Sequence, residues 1–428
     1  MTQNVTTFQQ LEKAVLSKAT EINIANSIVC THSIILPPGT SLRGTTESGH
    51  IPMLSFTSGD GIGVTADNAV ANLFISAPEK QKAIFNAFSD EDLGIFRFEN
   101  LRLTGMFSFV ARKGTEKAEI IADNIDIVSA DARANFEQPQ KFGVNPLQGA
   151  FTVYNYSKNA ESNITLTATN ISAGREGAPV KGSGIFISGA GDEGGWVTLK
   201  KLTTKDVFSN GLIAENTATI IAAAVFIVNG VKAETVLNEG KCVTYGSNDM
   251  VLDNWGEVRT WEAHAPIISY GPSSIGFVNF GTVENFTATA PLQTFGMGSR
   301  GYNQYDGSAQ NVTFESIETF GDGSTGVQLS KKIGVLNIQG SLVTHGGKGN
   351  TLVKGKNVEL PAIALSLQEG GSAEAVTVGG NIETHGDDVA TVKIEKGASI
   401  GKLQVGGEIL ATGKNAKTIE NASEQSIV

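Results

Sequence analysis

A short phrase that recurs six times between Gly240 and Gly413 restricts the possible folds more than any other feature of this chain. The copies read GKCVTYG, GEVRTW, ESIETFG, GSLVTHG, GNIETHG and GEILATG, with the consensus Gly-x-apolar-x-Thr-aromatic-Gly and His twice in the aromatic position. Apolar residues at every second position indicate a strand, and the closing Gly indicates a turn. Such recurrence predicts a repeat fold built from one stacked unit.

A second phrase, apolar-x-Asn-apolar-x-apolar, recurs in the N-terminal half. Its spacings are 28, 24 and 46 residues, the last being two steps of 23, and its central residues are Asn72, Asn100, Asn124 and Asn170. Residues 199–204 are similar, with Lys201 in the Asn position. We predict that these asparagines are buried at turns, where their amides satisfy backbone groups and stack into a ladder.

One amphipathic segment precedes the first predicted strands. Residues 6–20 predict a helix whose apolar face carries Phe8, Leu11, Val15 and Ala19. Thr7 with Gln10 fits a capping box at its start. The open end of a solenoid exposes core and unpaired strand edges, so we interpret this segment as an N-terminal capping helix.

The coil length follows from residues 389–413, which divide into three short strands separated by turns. That unit has about 25 residues, close to the asparagine spacings, and it predicts an all-β fold of three-strand coils stacked as a parallel β-helix. Because a solenoid shares one core, we expect one continuous domain over residues 1–428, with residues 414–428 as a polar tail.

The capping segment, the opening I-x-I…I-x-L-P-P-G-T-S-L-R-G between Ile22 and Gly44, and the Asn-centred coils resemble the pectin-lyase-like superfamily of right-handed parallel β-helices. This architectural resemblance covers nearly the whole chain and implies the right hand. The final third also resembles passenger-domain repeats of bacterial autotransporters. Enzymes of the superfamily cleave or epimerise polysaccharides, but their motifs N-T-D, G-H-G, R-I-K, W-I-D-H and R-x-P-x-x-R are absent here. The resemblance therefore assigns no catalytic residue.

Composition narrows the partners. The chain has 32 Lys and Arg against 43 Asp and Glu, and this net charge of −11 disfavours nucleic acid and anionic membranes. No apolar run approaches the ~18 residues of a membrane span, so we expect no membrane insertion. The N-terminus lacks a Sec signal pattern, which leaves a cytoplasmic location or export by another route open. Cys30 and Cys242 predict two buried free thiols.

Residues 245–306 hold the richest set of ligand-binding side chains. They include two of the three tryptophans and four of the six tyrosines. Aromatic faces stack on sugar rings, and a carboxylate pair can transfer protons. The predicted ligand-binding residues are Trp255, Trp261, Asp249, Asp253, Arg259, His264, Tyr302 and Tyr305. Packing is the alternative, in which Trp261 and Tyr245 belong to an aromatic turn ladder with Phe320.

No cofactor or metal is predicted, because His345 and His385 fit the same turn ladder. Two functions remain open. A β-helix protein that binds a polysaccharide along its flank would expose a groove lined by Trp255 and Tyr302. A structural or adhesin-like rod at the bacterial surface would bury those aromatics under a smooth flank. A polysaccharide lyase or hydrolase with a diverged site is a third alternative, and the sequence leaves both enzymatic activity and oligomeric state undecided.

Overall fold

The computed structural model describes residues 2–45, 49–135, 141–192, 194–353 and 356–423. Within these ranges nearly every element is a β-strand that pairs in parallel, and the strands form one sheet of 26 and one of 15. A single antiparallel pair, Lys348–Val353 with Lys356–Pro361, forms a separate hairpin in this part of the chain. The predicted all-β, parallel, solenoid-like architecture is confirmed.

The chain divides into two compact units. The first comprises residues 1–139, 148–208 and 228–233, and the second comprises residues 140–147, 209–227 and 234–428. The strands Trp196–Asn210 and Val231–Asn238 each contain a point of division. That residues 1–428 form one continuous domain stays a prediction.

The first unit holds the α-helix Phe8–Leu16 and strands of very unequal length. Besides the two divided strands, its strands are Thr2–Val5, Glu21–Ile24, Ile28–Cys30, Ile34–Ile35, Ser41–Gly44, Met53–Phe56, Ile62–Val64, Ala69–Ser76, Lys82–Asn86, Asp92–Thr104, Met106–Ala111, Lys117–Ser129, Gly149–Asn155, Asn163–Ala173, Val180–Lys181 and Ser183–Ser188.

The helix begins after Thr7 as the capping box predicts. The Thr7 hydroxyl oxygen accepts the backbone N–H of Gln10 at 3.3 Å, and Gln10 Oε1 accepts the N–H of Thr6 at 2.7 Å. The helix ends at Leu16, short of the predicted boundary, because Lys18 takes a left-handed backbone with φ of 53°. Its buried face holds Leu11 and Ala14.

The predicted asparagine ladder exists. Asn100 Nδ2 donates to Asn72 Oδ1 at 3.1 Å, and Asn124 Nδ2 donates to Asn100 Oδ1 at 2.9 Å. Asn170 Nδ2 donates instead to Asp123 Oδ1 at 2.9 Å. All four asparagines have φ between 52° and 57°, the left-handed region that Asn tolerates better than most residues.

Two details of the asparagine prediction are wrong. Asn100 and Asn124 are exposed rather than buried, because their role is to bend the backbone of a long strand and not to satisfy an interior turn. Lys201 does not occupy the Asn position, since it pairs with Thr167 and not with Asn170.

Parallel strands of the second unit form three ladders. The first contains Glu257–Ala263, Thr282–Ala288, Ser308–Phe314, Lys332–Ile338, Ser372–Val378, Ser399–Ile400 and Leu403–Val405. The second contains Cys242–Thr244, Ile267–Ser269, Leu292–Thr294, Ile317–Thr319, Leu342–Thr344, Ile382–Thr384 and Ile409–Ala411. The third contains Ile220–Ile227, Asp249–Asn254, Ile275–Asn279, Arg300–Gln304, Thr325–Leu329, Leu365–Leu367, Ala390–Ile394 and Lys417–Asn421, and the short strand Asn145–Pro146 pairs with its first member.

The register of the second ladder fixes the repeat length. Its paired residues lie 25 apart over four steps, Cys242, Ile267, Leu292, Ile317 and Leu342. Leu342 then pairs with Ile382, so the next step is longer than the four before it. The antiparallel hairpin Lys348–Val353 and Lys356–Pro361 is inserted in that step and accounts for most of the extra length.

Each strand of the second ladder down to Ile382–Thr384 is followed by a ring at the corner. Adjacent centroids are 4.7–5.5 Å apart and adjacent planes differ by 4–17°, through Tyr245, Tyr270, Phe295, Phe320, His345 and His385. The Gly that follows must lack a side chain, because a Cβ on Gly271 would lie 1.8 Å from the carbonyl oxygen of Gly246. The strand-then-turn interpretation of the phrase is therefore confirmed at these corners.

The copy ending at Trp261 is a misassignment. Trp261 lies inside the strand Glu257–Ala263, with its ring buried against Phe277 and its Nε1 donating to Asn238 Oδ1 at 2.8 Å. The true copies in this region end at Tyr270 and Phe295.

We expect Asn100→Ala to lower the free energy of unfolding by about 1–2 kcal/mol, because alanine is strained at this φ and loses both ladder bonds. Asn100→Gly removes the same bonds but not the conformational freedom, so its loss should be clearly smaller. Urea unfolding of both variants measures the difference, and equal losses would contradict a conformational role.

Candidate functional site

The outward row of the third ladder is unusual because it is covered. Pairing aligns Phe226, Asp253, Val278, Asn303 and Gln328 in this row, opposite the core row that contains Phe277 and Tyr302. The first four side chains are fully buried. Outward residues of an exposed sheet normally meet water, so other parts of the chain must cover this face.

Three segments outside the repeat provide the cover. Phe142 of the first segment packs edge-on against Trp255 at 5.1 Å and against Phe280 at 4.5 Å, between ring centroids. Ala218 belongs to the segment before Ile220–Ile227, and Val353 belongs to the hairpin. The hairpin is fixed by Thr351, whose hydroxyl donates to the Gly298 carbonyl at 2.8 Å.

A cavity of about 110 Å³ remains beneath this cover, and we call it the chamber. Its wall includes Phe142, Asn248, Asp253, Phe280, Arg300 and Tyr305. A second, larger cavity of about 470 Å³, the depression, shares Asn248 and Ser273 with the chamber. Its lining is mostly polar and includes Glu215, Asn216, Thr217, Asn350 and Asn357.

Asp253 is the least satisfied group of the chamber. Within the described residues neither carboxyl oxygen makes a hydrogen bond of normal geometry, and the same holds for Trp255 Nε1. Burial raises the pKa of Asp253 well above its usual range, and the nearby indole N–H of Trp255 offsets only part of this rise. Asp253 is therefore a protonated carboxyl group at neutral pH, which can donate a hydrogen bond.

Arg300 brings a charge to the opposite part of the chamber wall. Only 5% of its surface is exposed, and its Nε donates to Gln328 Oε1 at 3.3 Å. Burial lowers the pKa of the guanidinium, while the phenol of Tyr305 opposes that shift. Burial likewise raises the pKa of Tyr305, whose ring stacks on Phe280 at 4.7 Å. Arginine nevertheless keeps its proton in proteins, so the chamber carries a fixed positive charge.

Asn303 extends the set of unpaired groups. It is fully buried in the same row as Asp253, and neither its amide nitrogen nor its amide oxygen has a partner among the described residues. Buried polar side chains are nearly always hydrogen-bonded, so several such groups in one row indicate water or a ligand between them.

Asp249 has a different role. Its Oδ2 accepts the backbone N–H of Gly211 at 2.8 Å and that of Gly246 at 2.9 Å, which ties the start of the segment 211–219 to the third ladder. Burial raises the pKa of Asp249 to about 7 despite these two bonds. The residue supports a wall of the depression without lining it.

The backbone is strained where the two cavities meet. Asn248 and Ser273 have φ of 57° and 54°, and the equivalent positions one and two repeats beyond Ser273 are Gly298 and Gly323. Left-handed backbone is uncommon for Ser and costs on the order of 1 kcal/mol. Side chains that replace Gly in this corner column place polar groups at the junction of chamber and depression.

The structure brings only some of the predicted ligand-binding residues together. Asp253 and Tyr305 line the chamber, and Trp255 lies behind its aromatic wall with 4% of its surface exposed. Trp261 and Tyr302 are core residues without access to a ligand. Arg259 and His264 are exposed on or beside the first ladder, where His264 Nε2 lies 2.9 Å from Glu262. Ligand contact by all eight residues stays a prediction, and this geometry argues against it for Trp261 and Tyr302.

The sequence analysis missed Arg300, Asn303 and Gln328 as partners of Asp253. Successive steps of one repeat lead from Asp253 through Val278 to Asn303 and Gln328, so the repeat length alone would have aligned them. No comparable signal identifies Phe142 or the hairpin, because insertions lie outside the repeat.

Metal chemistry has no cluster to support it in the described part of the chain, where no three His, Cys, Asp or Glu side chains converge. His345 lies 2.8 Å from Glu318 and His385 lies 3.3 Å from Glu383, each as a pair. The predicted buried free thiols Cys30 and Cys242 are confirmed.

Over the described ranges, no helix has the length and apolarity that crossing a membrane requires. No protein-family model matches the chain, and no curated protein or solved structure matches it significantly. Fold and site geometry are therefore the basis for inferring function.

We expect stability to fall as pH rises from about 4 to 7. The folded-state pKa values of Asp249 and Asp253 are raised, so over this window the folded chain holds protons that the unfolded chain releases. Asp249→Asn keeps the acceptor oxygen but cannot ionise. Between pH 5 and 8 its free energy of unfolding should fall by about 2–3 kcal/mol less than that of the wild type.

Urea midpoints across this pH range measure the effect. Glu176→Gln, on an exposed loop of the first unit, controls for the loss of one negative charge. A wild-type pH profile that Asp249→Asn leaves unchanged would contradict the assignment.

Proposed function

We propose that the protein is a carbohydrate-binding parallel β-helix of the pectin-lyase-like type. In this proposal the helix is right-handed, its coils have three strands each, and the α-helix Phe8–Leu16 covers its N-terminal end. The constant register of the second ladder and the packing of the α-helix against Thr2–Val5 and Ile28–Cys30 support this assignment.

The observation that carries the proposal is the composition of the depression. At about 470 Å³ it lies within the usual range of roughly 300–1,000 Å³ for ligand sites. Asn216, Asn248, Asn350 and Asn357 line it, and an amide offers both donors and an acceptor. A sugar hydroxyl also donates and accepts, so several amides around one cavity suit a polyhydroxylated ligand.

Hydrogen bonds rather than ring stacking would dominate recognition. Trp255, the aromatic residue expected to stack on a sugar, is buried between Phe142 and Phe226. The corner rings cover one another's faces, so Tyr270, although 48% exposed, presents mainly its edge. A ligand bound through amides, next to a net negative protein, is a neutral or mildly acidic saccharide.

The rival interpretation, a structural rod, gains support from the burial of Trp255 and Tyr302. It leaves the depression and the unpaired groups of the chamber unexplained, whereas a binding protein accounts for both. No reaction is proposed, because no pair of carboxyl groups lines either cavity in a position that the described residues define.

Affinity electrophoresis across a panel of neutral and acidic polysaccharides tests the proposal. At least one polysaccharide should retard the wild type, and Asn350→Ala should weaken that binding about 3–10-fold, the effect of losing one hydrogen bond. Gln310→Ala, an exposed amide on the first ladder, is the matched control and should bind as the wild type does. A wild type that no polysaccharide retards would refute carbohydrate binding.

A further inference from the structure

Arg300 presents a problem that the depression does not solve. Its guanidinium is almost fully buried, and Gln328 is its one hydrogen-bond partner among the described residues. No carboxylate lies within ion-pair distance of it in this part of the chain. A buried charge is tolerated when it is paired, and arginine cannot neutralise itself by losing its proton.

The groups around Arg300 add donors rather than a counter-charge. Asp253 lines the same chamber, but a carboxyl group with neither oxygen hydrogen-bonded favours the protonated form in such a site. Trp255 Nε1 can only donate, and the unpaired amide of Asn303 lies in the adjoining row. Tyr305 contributes a phenol, a group that stays neutral when its pKa is raised. The surroundings therefore match an acceptor that carries negative charge.

Size limits what that acceptor can be. At about 30 Å³ per water, a cavity of about 110 Å³ has room for three or four waters. This space is too small for a sugar ring but sufficient for a small ion. One unpaired guanidinium calls for one negative charge.

We propose that the chamber binds a free small monovalent anion, of the size of chloride or formate, with the Arg300 guanidinium as its counter-charge. The anion replaces the missing ion-pair partner and joins the third ladder to the segments that cover it. Its binding therefore stabilises the folded chain. This site is separate from the saccharide site, and its occupation does not require a sugar.

Thermal unfolding of the full chain in sodium chloride and in sodium formate tests the proposal. The reference is the sodium salt of a sulfonate buffer at equal ionic strength, since its anion is too large to enter. Chloride or formate should raise the Tm saturably, by roughly 5 °C when the site is filled. An equal response to all three salts would overturn the proposal.

Variants assign the effect to Arg300. Arg300→Met should lose the response to chloride and formate, whereas Arg259→Met, at an exposed arginine on the first ladder, should keep it. Arg300→Lys keeps the charge and should retain a weaker response, which covers the case in which Arg300→Met does not fold. A full response in Arg300→Met would refute the site.

Two further arms separate the proposal from its neighbours. Bromide soaked into crystals of the wild type should give an anomalous peak beside Arg300, and an empty chamber at saturating bromide would overturn the proposal. Asn350→Ala should leave the anion response intact, whatever it does to saccharide binding. A chain stabilised by an acidic saccharide but by none of the free anions would also overturn the proposal, and would assign the charge to the saccharide.

Discussion

Parallel pairing between successive coils is the constraint on which the second unit depends. Each strand sends its backbone hydrogen bonds to the strand one coil later, so the nearest neighbours of a residue lie one full repeat away in sequence. Any position that tolerates only one kind of residue therefore becomes a column. The Gly column shows this constraint at its strictest, because the carbonyl of one coil fills the space a Cβ would need in the next. The corner rings follow the same spacing and stack.

The repeat made the architecture predictable from the sequence, and departures from the repeat produced the errors. The phrase ending at Trp261 matched in letters, but it begins at Gly256, less than one repeat after Gly240, so its tryptophan points into the core. The asparagines of the first unit were recognised as a ladder from their spacing. Their exposure was missed because spacing carries no information about which side of a strand meets water.

The candidate site was only half predictable for the same reason. Asp253 and Tyr305 drew attention as chemistry-bearing residues, and the repeat length links Asp253 to Asn303. What turns an ordinary outward row into a closed chamber is the cover supplied by Phe142 and the hairpin. These segments belong to no repeat, and nothing in their composition states where they pack. Long-range packing of insertions is therefore the part of the site that a single sequence leaves undetermined.

Val278 shows that the polar groups of the chamber are not needed for folding. It lies in the covered row directly between Asp253 and Asn303, and it is as fully buried as they are. An aliphatic side chain is thus compatible with this row and leaves no polar group unpaired. Asp253 and Asn303 lower the stability that such a residue would give, and Arg300 adds an unpaired charge at the same place. Three unfavourable choices around one cavity are consistent with a site that is complete only when a ligand occupies it.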